Sequence, residues 1–399
     1  FCRGMMRGYL TGFCGLAILL LAACAPLPGP PSGSSKVFYK IQATEVFAAG
    51  YGGVADKYID RVTVEDIAVE GLRGLGAIDP NLTISRTDAS VALMSGGHEV
   101  IRSTLPEGDN VNGWANLTTN FIVAAREKST DLRAADMEAV YEAVFDGVLS
   151  NLDIFSRYAG AEEAQRNRSK RDGFGGIGIR YRMVDGFPVL SDVLPETPAA
   201  DAGLAKNDRL THVDGTPLKG LDRKAVSKRL RGPTYSRLEL TLIRKGAPKP
   251  MTVTMERAHI FPVTITETTK DGIVFIKVIS FNQDTARSLA SKLESIRHAS
   301  GGPMKGLVLD LRGNPGGLLK QSVKVADLLL TQGKIISTRG RHMDSIHHYE
   351  AGGRDLAYGL PVVVLLDGKS ASAAELVAAA LQDRDRAVVI ATPSSGKGS

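Results

Sequence analysis

The sequence predicts a multidomain α+β protein with a helical N-terminal region, a small β-barrel and an α/β core. Its 399 residues are too many for one ordinary domain and enough for two or three buried cores. Apolar residues recur at helical spacing before residue 172. After residue 173 short β-type runs alternate with turn residues, and from residue 259 onward strands alternate with helices. That last alternation favours a largely parallel sheet.

Composition and charge exclude several classes of protein. With 43% hydrophobic and 23% charged residues, the chain is not predominantly disordered. The net charge of +6 is spread without a basic stripe, so we predict no nucleic-acid partner. The 7 histidines are scattered and contain no HExxH pattern, so we predict neither a metal site nor a cofactor.

The 3 cysteines all lie within the first 24 residues. Because the rest of the chain contains no thiol, its main body has no disulfide scaffold and no thiolate zinc site. A cysteine nucleophile is excluded there for the same reason.

The N-terminal segment has the pattern of an export signal. Arg7 gives a positive charge, and residues 9–21 are almost wholly apolar. That run is shorter than the ~20 residues of a membrane span and fits a signal peptide. Leu21-Ala22-Ala23-Cys24 resembles a bacterial lipobox, in which the cysteine is lipidated. The alternative is an ordinary signal peptide in which Cys24 occurs by chance.

The lipobox resemblance implies a lipid-anchored, periplasm-facing protein of the bacterial cell envelope. Residues 1–24 are then a lipoprotein signal peptide, and the Pro-, Gly- and Ser-rich residues 25–36 are a linker. The protein would bind the membrane through the lipid on Cys24. Ala25, directly after it, favours the outer membrane over the inner one.

Residues 37–172 are predicted to form the helical N-terminal region. Apolar side chains recur every three or four residues within 134–152 and within 64–75, a spacing typical of amphipathic helices.

Residues 173–257 have the pattern of a small β-barrel with two helices. The predicted elements are strands at 188–193, 208–213 and 238–243, a short helix capped by Thr197 and opened by Pro198, a turn at Asp214-Gly215, and a helix at 221–230.

The order of these elements resembles a PDZ domain. The glycine-rich loop matches the segment of that family that binds a chain-terminal carboxylate, and consists of Gly175, Gly176, Ile177 and Gly178. Consecutive N–H groups that no side chain obstructs can hold a carboxylate, and the adjoining strand edge can pair with the peptide. The alternative is a β-barrel with a purely structural role.

Residues 258–399 alternate between strands and helices. The predicted strands are 273–278, 305–311, 361–366 and 386–391, and the predicted helices are 284–296, 318–330 and 373–382. A serine-rich turn precedes the last helix, where the free N–H groups and the positive dipole end favour a developing anion. Because one helix and one returning strand separate Ser372 from Lys397, the fold can bring the two side chains together.

A plainer interpretation of both segments is available from the residues alone. Ser372 and Glu375 fit a capping box, in which the serine only caps the helix. Ser395, Gly396 and Lys397 fit a surface turn.

The motifs as a set resemble the C-terminal processing peptidases, also called tail-specific proteases. The matching motifs, in order, are Phe174-Gly-Gly-Ile-Gly-Ile179, Ile279-Ser-Phe281, Asp310-Leu-Arg-Gly-Asn-Pro-Gly-Gly317, Ser370-Ala-Ser-Ala-Ala-Glu375 and Gly396-Lys-Gly398. The resemblance covers about residues 134–399. It implies serine peptidases with a ClpP/crotonase-like core and an inserted PDZ domain.

The family's roles carry over to matching positions. The resemblance implies that Ser372 is the nucleophile, with Ser370 as the alternative, and that Lys397 is the general base. A lysine acts as a base only as the neutral amine, so the fold has to desolvate it or surround it with positive charge. The implied oxyanion hole consists of Gly316, Gly317 and Ala373. Arg312 and Asn314 are implied to position the loop. Asp383 is a possible supporting residue, for which a structural salt bridge is the alternative.

One departure concerns the end of the chain. Many family members carry a glutamine four residues after the lysine, and their core continues further, whereas this sequence stops at Ser399. We therefore predict that the peptidase core in 258–399 is C-terminally truncated and that this fragment is poorly folded or inactive.

The predicted function is serine endopeptidase activity on proteins with exposed C-terminal tails. The PDZ domain would receive the tail or switch the protease on. Two alternatives belong to other classes: a non-catalytic PDZ scaffold on an inactive peptidase core, and a crotonase-type enzyme acting on coenzyme-A thioesters. The oligomeric state and the tail preference are left open.

Overall fold

The computed structural model describes residues 38–247, 249–298 and 304–398. Hydrophobic side chains in this part of the chain gather into three successive cores, which span residues 43–148, 177–255 and 265–381. The predicted signal peptide and linker, including Cys24, lie outside the described residues. Across the described residues, no helix has both the length and the apolar character needed to cross a bilayer.

The N-terminal region combines helices with a sheet. Its elements are α1 (Lys40–Lys57), α2 (Val64–Arg73), a 3-10 turn (Gly74–Ala77), β1 (Leu82–Arg86), β2 (Ser90–Ser95), β3 (His98–Thr104), α3 (Val111–Lys128), α4 (Thr130–Ala134), α5 (Met137–Leu149) and α6 (Ala161–Asp172).

The prediction that this region is helical was wrong for β1, β2 and β3. These strands pair antiparallel in the order β1-β2-β3. In β2 the consecutive residues Val91, Ala92 and Leu93 are all fully buried. Burial on both faces removes the period-two pattern by which a strand is recognised in a sequence.

The middle region is a small sheet flanked by two helices. Its elements are β4 (Phe174–Gly176), β5 (Ile179–Val184), β6 (Phe187–Val193), α7 (Pro198–Asp201), β7 (Arg209–Val213), β8 (Thr216–Pro217), α8 (Arg223–Leu230), β9 (Arg237–Ile243), β10 (Met251–Glu256) and β11 (Ala258–Ile260). The main sheet has the order β10-β9-β7-β6-β5, with β8 on β7, while β4 pairs with β11.

Two local predictions for this region had different outcomes. Asp214 and Gly215 both have positive φ, as a tight Asp-Gly turn requires. Thr197 precedes α7, but it does not cap that helix, because its hydroxyl donates instead to the carbonyl of Leu194 at 2.7 Å.

The C-terminal region is an α/β layer structure. Its elements are β12 (Ile265–Lys270), β13 (Ile273–Val278), α9 (Thr285–His298), β14 (Gly306–Asp310), α10 (Leu319–Asp327), β15 (Lys334–Thr338), a 3-10 turn (Met343–Ser345), β16 (His347–Glu350), β17 (Val362–Leu366), α11 (Ala373–Gln382) and β18 (Val388–Ala391).

The sheet of this region has the order β12-β13-β14-β17-β18. The pairs from β13 through β18 are parallel, as the alternation of strands and helices predicts, and only β12 is antiparallel. Strands β14 and β17 are neighbours, so the loops that leave their carboxyl ends lie side by side. In parallel sheets this edge is where ligands and reactive groups gather.

Candidate active site

The loops after β14 and β17 are joined through their main chains. The N–H of Ala371 donates to the carbonyl of Asn314 at 3.0 Å. The N–H of Gly313 donates to Asp367 Oδ1 at 2.9 Å. This hydrogen bond is the main reason that the pKa of Asp367 lies below its usual value. The two loops therefore form one rigid unit at the carboxyl edge of the sheet.

Asn314 fixes the shape of the first loop. Its side chain is fully buried, donates from Nδ2 to the carbonyl of Val278 at 2.9 Å, and accepts from the N–H of Gly316 at 2.8 Å. A buried amide whose donor and acceptor are both bonded holds a loop in one conformation. This agrees with the loop-positioning role that the resemblance implies for Asn314.

Ser372 lies at a strained turn at the start of α11. Its backbone has φ 52° and ψ −111°, a conformation that residues with a Cβ seldom adopt. Such strain costs on the order of 1–3 kcal/mol and is common where a side chain must be presented for chemistry. The half-buried serine stands at the N-terminus of the helix, where the dipole favours negative charge.

Two N–H groups beside Ser372 are available to an incoming oxygen. Within the described residues, neither the N–H of Gly317 nor that of Ala373 has a hydrogen-bond acceptor. Gly316 was predicted to be a third donor, but its N–H already donates a hydrogen bond to Asn314 Oδ1. The candidate oxyanion hole thus consists of the N–H groups of Gly317 and Ala373.

Gly316 contributes space to the site. A Cβ at this residue would lie 3.1 Å from the nitrogen of Ala373 and 3.1 Å from the Cβ of Ser372. Its φ of 99° also favours glycine. The absence of a side chain at Gly316 therefore keeps the loop in contact with the serine turn and leaves the Ala373 N–H accessible.

The carboxylate of Glu375 gathers the serine turn and the lysine segment. Oε2 accepts the N–H groups of both Ser372 and Lys397, the second at 3.1 Å. Oε1 accepts the hydroxyl of Ser394 at 2.6 Å and the N–H of Gly396 at 2.7 Å. The main-chain nitrogens of Ser372 and Lys397 consequently lie within two hydrogen-bond lengths of each other.

The capping box of Ser372 and Glu375 is present, but it accounts for only one of the four hydrogen bonds that the Glu375 carboxylate accepts. The bond to the N–H of Ser372 is local to the helix, whereas the other three donors come from the segment after β18. Burial, the largest influence, by itself raises the pKa of Glu375. The four hydrogen bonds together outweigh burial and hold the pKa below its usual value.

The side chain of Lys397 is half-buried and lies against an aromatic ring. Its Nζ is 5.2 Å from the ring centroid of Phe155, in the segment between α5 and α6. Among the described residues, no carboxylate forms an ion pair with Lys397. The lysine segment is further attached to the serine loop by a bond of 3.0 Å from the N–H of Ser395 to the carbonyl of Ser370.

The hydroxyl of Ser370 is buried and hydrogen-bonded within its own loop. Its side chain is fully buried, and its hydroxyl lies 2.9 Å from the carbonyl of Leu311, 3.2 Å from Asp367 Oδ1 and 3.0 Å from the N–H of Asp367. A hydroxyl that already closes a turn in this way is not presented to a substrate. Of the two candidate serines, only the half-buried Ser372 is accessible to solvent.

Asp383 lies away from the other candidate residues. It follows the 10-residue helix α11 and is exposed, so about 15 Å of helix separates it from Ser372. Among the described residues it forms no ion pair. The structure does not bring Asp383 to Ser372 or pair it with a cation of the described residues, and its supporting role stays a prediction.

The predicted peptide-binding loop is divided between two environments. Gly175 and Gly176 belong to β4 and pair with β11, so they do not form the loop as predicted. Within the described residues, the N–H groups of Ile177 and Gly178 have no acceptor. Gly178 has φ 82°, and a Cβ there would lie 2.3 Å from the side chain of Thr197.

Arg312 forms a bidentate pair with Asp310 at the end of β14. Both nitrogen–oxygen distances are 2.9 Å. The hydrogen bonds from this guanidinium are the main reason that the pKa of Asp310 lies below its usual value. The described part of the chain has no group of three or more His, Cys, Asp or Glu side chains that could hold a metal ion.

Asp367 and Phe155 were not found from the sequence as contributors to the site, and Glu375 was found only as a helix cap. Asp367 and Glu375 bind N–H groups that are distant in sequence, so neither has a local pattern beyond a turn or a cap. Phe155 belongs to a different region from Lys397, and an exposed apolar pair at 154–155 was its only signal.

Residues 272–399 match the family model of Peptidase family S41, and residues 189–244 match that of a PDZ domain. The chain is 33% identical to a carboxy-terminal-processing protease of Bartonella bacilliformis over 302 residues, which cover 75% of this chain and 70% of that protein.

Two further similarities are more distant. Carboxy-terminal processing protease CtpA of Bacillus subtilis is 28% identical over 274 residues, which cover 68% of this chain and 58% of that protein. The structure of a photosystem II D1 C-terminal processing protease aligns with a TM-score of 0.39 at 22% identity, covering 90% of this chain and 83% of the other.

We expect the contribution of Glu375 to stability to depend on pH. Because the folded-state pKa is lowered, the contribution is complete above the unfolded pKa, at about pH 5 and higher, and is lost as the pH falls through the folded value. Glu375→Gln should therefore cost most stability at neutral pH, and the difference should shrink towards pH 3. Urea unfolding midpoints between pH 3 and 8 would measure this.

Glu107→Gln is the matched control for this experiment, because Glu107 is exposed on a loop. It should unfold like the wild type at every pH. A Glu375→Gln difference that is constant from pH 3 to 8 would contradict the role assigned to the carboxylate.

Proposed function

The chain belongs to the carboxy-terminal processing proteases of peptidase family S41, and we propose that it is a serine endopeptidase that cleaves proteins recognised by their C-terminal tails. The observation that carries this proposal is the carboxylate of Glu375, which binds the N–H groups of both Ser372 and Lys397 through one oxygen. A serine and a lysine from distant segments are thereby brought to one edge of the sheet.

We propose a Ser372/Lys397 dyad for the chemistry. The neutral amine of Lys397 takes the hydroxyl proton as Ser372 Oγ forms a bond to the scissile carbonyl carbon. The resulting oxyanion accepts hydrogen bonds from the N–H groups of Gly317 and Ala373. Collapse of the tetrahedral intermediate breaks the C–N bond, and the lysine ammonium returns the proton to the leaving amine. Water then hydrolyses the acyl-enzyme by the same route.

One feature of the surroundings of Lys397 supports its role as a base: no carboxylate of the described residues forms an ion pair with its amine. An ion pair with a carboxylate would stabilise the charged amine, which cannot accept a proton.

We propose that the tail is received between β5 and the loop at Ile177 and Gly178. Strand β5 is at the end of its sheet and can pair with an extended peptide. The two N–H groups without acceptors point to a carboxylate ligand. Nearby, the guanidinium of Arg231 lies 3.7 Å from the ring centroid of Phe174 and has no acidic partner in the described residues. Burial lowers the pKa of Arg231, yet an arginine stays charged.

We further propose that the mature protein is lipidated at Cys24 and faces the periplasm. The apolar run at 9–21 and the small residues before Cys24 support this location.

Replacement of either dyad residue should abolish turnover. In the full-length protein we expect Ser372→Ala and Lys397→Met each to lower kcat by at least about 10³-fold, and the double variant to be no worse than either alone. Cleavage of an unstructured protein with an apolar C-terminal tail would be followed by mass spectrometry. Lys369→Met, which removes an exposed cation three residues before Ser372, is the control and should remain active. Equal turnover by the wild type and Ser372→Ala would refute the dyad.

The oxyanion hole can be tested with two glycines of the same loop. Gly313 and Gly316 both have positive φ, so alanine strains the backbone at either position. Only the methyl group at Gly316 would contact the Ser372 turn, because a Cβ at Gly313 has no neighbour within 4 Å. We expect Gly316→Ala to lose about 10²-fold in kcat and Gly313→Ala to retain near-normal kcat at a comparable melting temperature. Similar kcat losses in both variants would contradict the assignment.

Lipidation is tested by inhibition of lipoprotein signal processing. In cells treated with globomycin, a precursor longer than the mature protein should accumulate, and Cys24→Ser should prevent labelling by an alkyne fatty acid. Unchanged processing and labelling would exclude the anchor.

A further inference from the structure

The main chain that carries the candidate donor Gly317 is paired with a single residue, Phe281. The N–H of Phe281 donates to the carbonyl of Gly316 at 3.0 Å, and the carbonyl of Phe281 accepts the N–H of Leu318 at 2.8 Å. These two bonds form a parallel bridge between Phe281 and Gly317. Because N–H groups alternate in direction along a paired segment, the bridge turns the N–H of Gly317 away from Phe281.

The contact between the two chains is too close to allow sliding. A Cβ at Gly317 would lie 2.2 Å from the carbonyl oxygen of Phe281 and 2.8 Å from its nitrogen. The ring of Phe281 is buried in the core, so this residue is itself fixed. The position of the Gly317 N–H therefore follows the position of the Phe281 main chain.

A buried hydroxyl fixes the peptide unit on which Gly317 rests. The carbonyl of Phe281 and the N–H of Asn282 belong to one planar peptide unit. That N–H donates to Thr285 Oγ1 at 2.9 Å, and Thr285 Oγ1 lies 3.0 Å from Asn282 Oδ1, which closes a ring. Asn282 is 1% exposed and Thr285 is 0% exposed. A bond lost here would not be replaced by bulk water.

The same bonds also shape the start of α9, which gives a purely structural alternative. Asn282 Oδ1 accepts the N–H of Asp284, one residue before the helix, at 3.0 Å. Asn282 Nδ2 donates to the carbonyl of Pro262 at 2.8 Å. If these residues only stabilised the fold, their substitution would change the melting temperature and leave the chemistry of the folded protein intact.

We propose that Thr285 is a positioning residue of the oxyanion hole and acts through the peptide unit between Phe281 and Asn282. This role rests on the proposed function, of which the oxyanion hole is a part. Without the hydroxyl, the N–H of Asn282 has no acceptor and the peptide unit is free to tilt. The Leu318 N–H that is bonded to this unit, and the Gly317 N–H beside it, move with the tilt. A displaced donor stabilises the oxyanion less, because this interaction requires a narrow range of distances.

Two substitutions of Thr285 separate the hydroxyl from the volume of the side chain. Thr285→Val removes the hydroxyl at nearly constant volume, whereas Thr285→Ser keeps the hydroxyl and loses a methyl group. In the full-length protein we expect Thr285→Val to lower kcat about tenfold with little change in KM. Thr285→Ser should retain kcat within about twofold of the wild type, even if its melting temperature falls. Cleavage of the unstructured protein with an apolar tail measures both constants.

Thr264→Val is the matched control. Thr264 is 5% exposed, and its Oγ1 lies 2.8 Å from Thr285 Oγ1. Within the described residues, its side chain forms no hydrogen bond with the peptide unit between Phe281 and Asn282. The substitution thus removes a second buried hydroxyl at constant volume and leaves the acceptor of the Asn282 N–H in place. We expect kcat within about twofold of the wild type.

A second measurement reports on the oxyanion directly. A tripeptide aldehyde of leucine, valine and alanine would be compared with the alcohol of the same sequence. Ser372 Oγ bonds to the aldehyde carbon, the carbonyl π bond breaks, and the hydroxyl proton passes to the amine of Lys397, which leaves an oxyanion on the adduct. The alcohol forms no adduct. Thr285→Val should weaken inhibition by the aldehyde by the same factor as kcat, and leave inhibition by the alcohol unchanged.

The outcomes distinguish this role from the proposed function. Normal kcat and normal aldehyde inhibition in Thr285→Val would overturn the positioning role alone. Equal losses in Thr285→Ser or Thr264→Val would assign the effect to the stability of α9 and also overturn it. If the wild type binds the aldehyde no more tightly than the alcohol, or Ser372→Ala binds it equally well, the proposed oxyanion chemistry fails. If Thr285→Val does not fold, Thr285→Ala takes its place with the same expectations.

Discussion

The architecture of the candidate active site depends on a carboxylate that binds main-chain amides. Glu375 holds the start of α11 and the segment after β18 together, although the two are separated by a helix and a strand. Four donors converge on two oxygens, a number that a carboxylate can accept and a glutamine amide cannot. The positions of the serine and the lysine are therefore set by hydrogen bonds to their backbones.

A second set of contacts positions the groups that would face the substrate. Asn314 and Asp367 lock the loops after β14 and β17 to each other. By accepting the N–H of Gly316, Asn314 leaves the next N–H along the chain, that of Gly317, directed away from the loop's own bonds. The N–H of Gly316 thus holds the loop in its conformation, and the N–H of Gly317 is left available to a substrate oxygen. Preorganised donors of this kind need no rearrangement when charge develops.

Much of this arrangement could be predicted from local patterns. Apolar β-branched runs such as 273–278 and 362–366 marked the core strands, and the Ala-rich run after Ser372 marked α11. The features that could not be predicted are contacts between residues that are distant in the sequence. The use of the Gly316 N–H by Asn314 and the three distant donors to Glu375 depend on how loops meet in space. Asp383 is a different case, because the length of α11 alone already places it at the far end of the helix from Ser372.

The strained backbone of Ser372 has an evolutionary consequence. At φ 52° glycine is the residue that fits without cost, and the change from serine to glycine would also remove the hydroxyl. A lineage released from selection for cleavage would gain stability by making this change. Descendants of such a chain that keep only peptide binding are expected to carry glycine at this turn, and to be harder to unfold than their active ancestor.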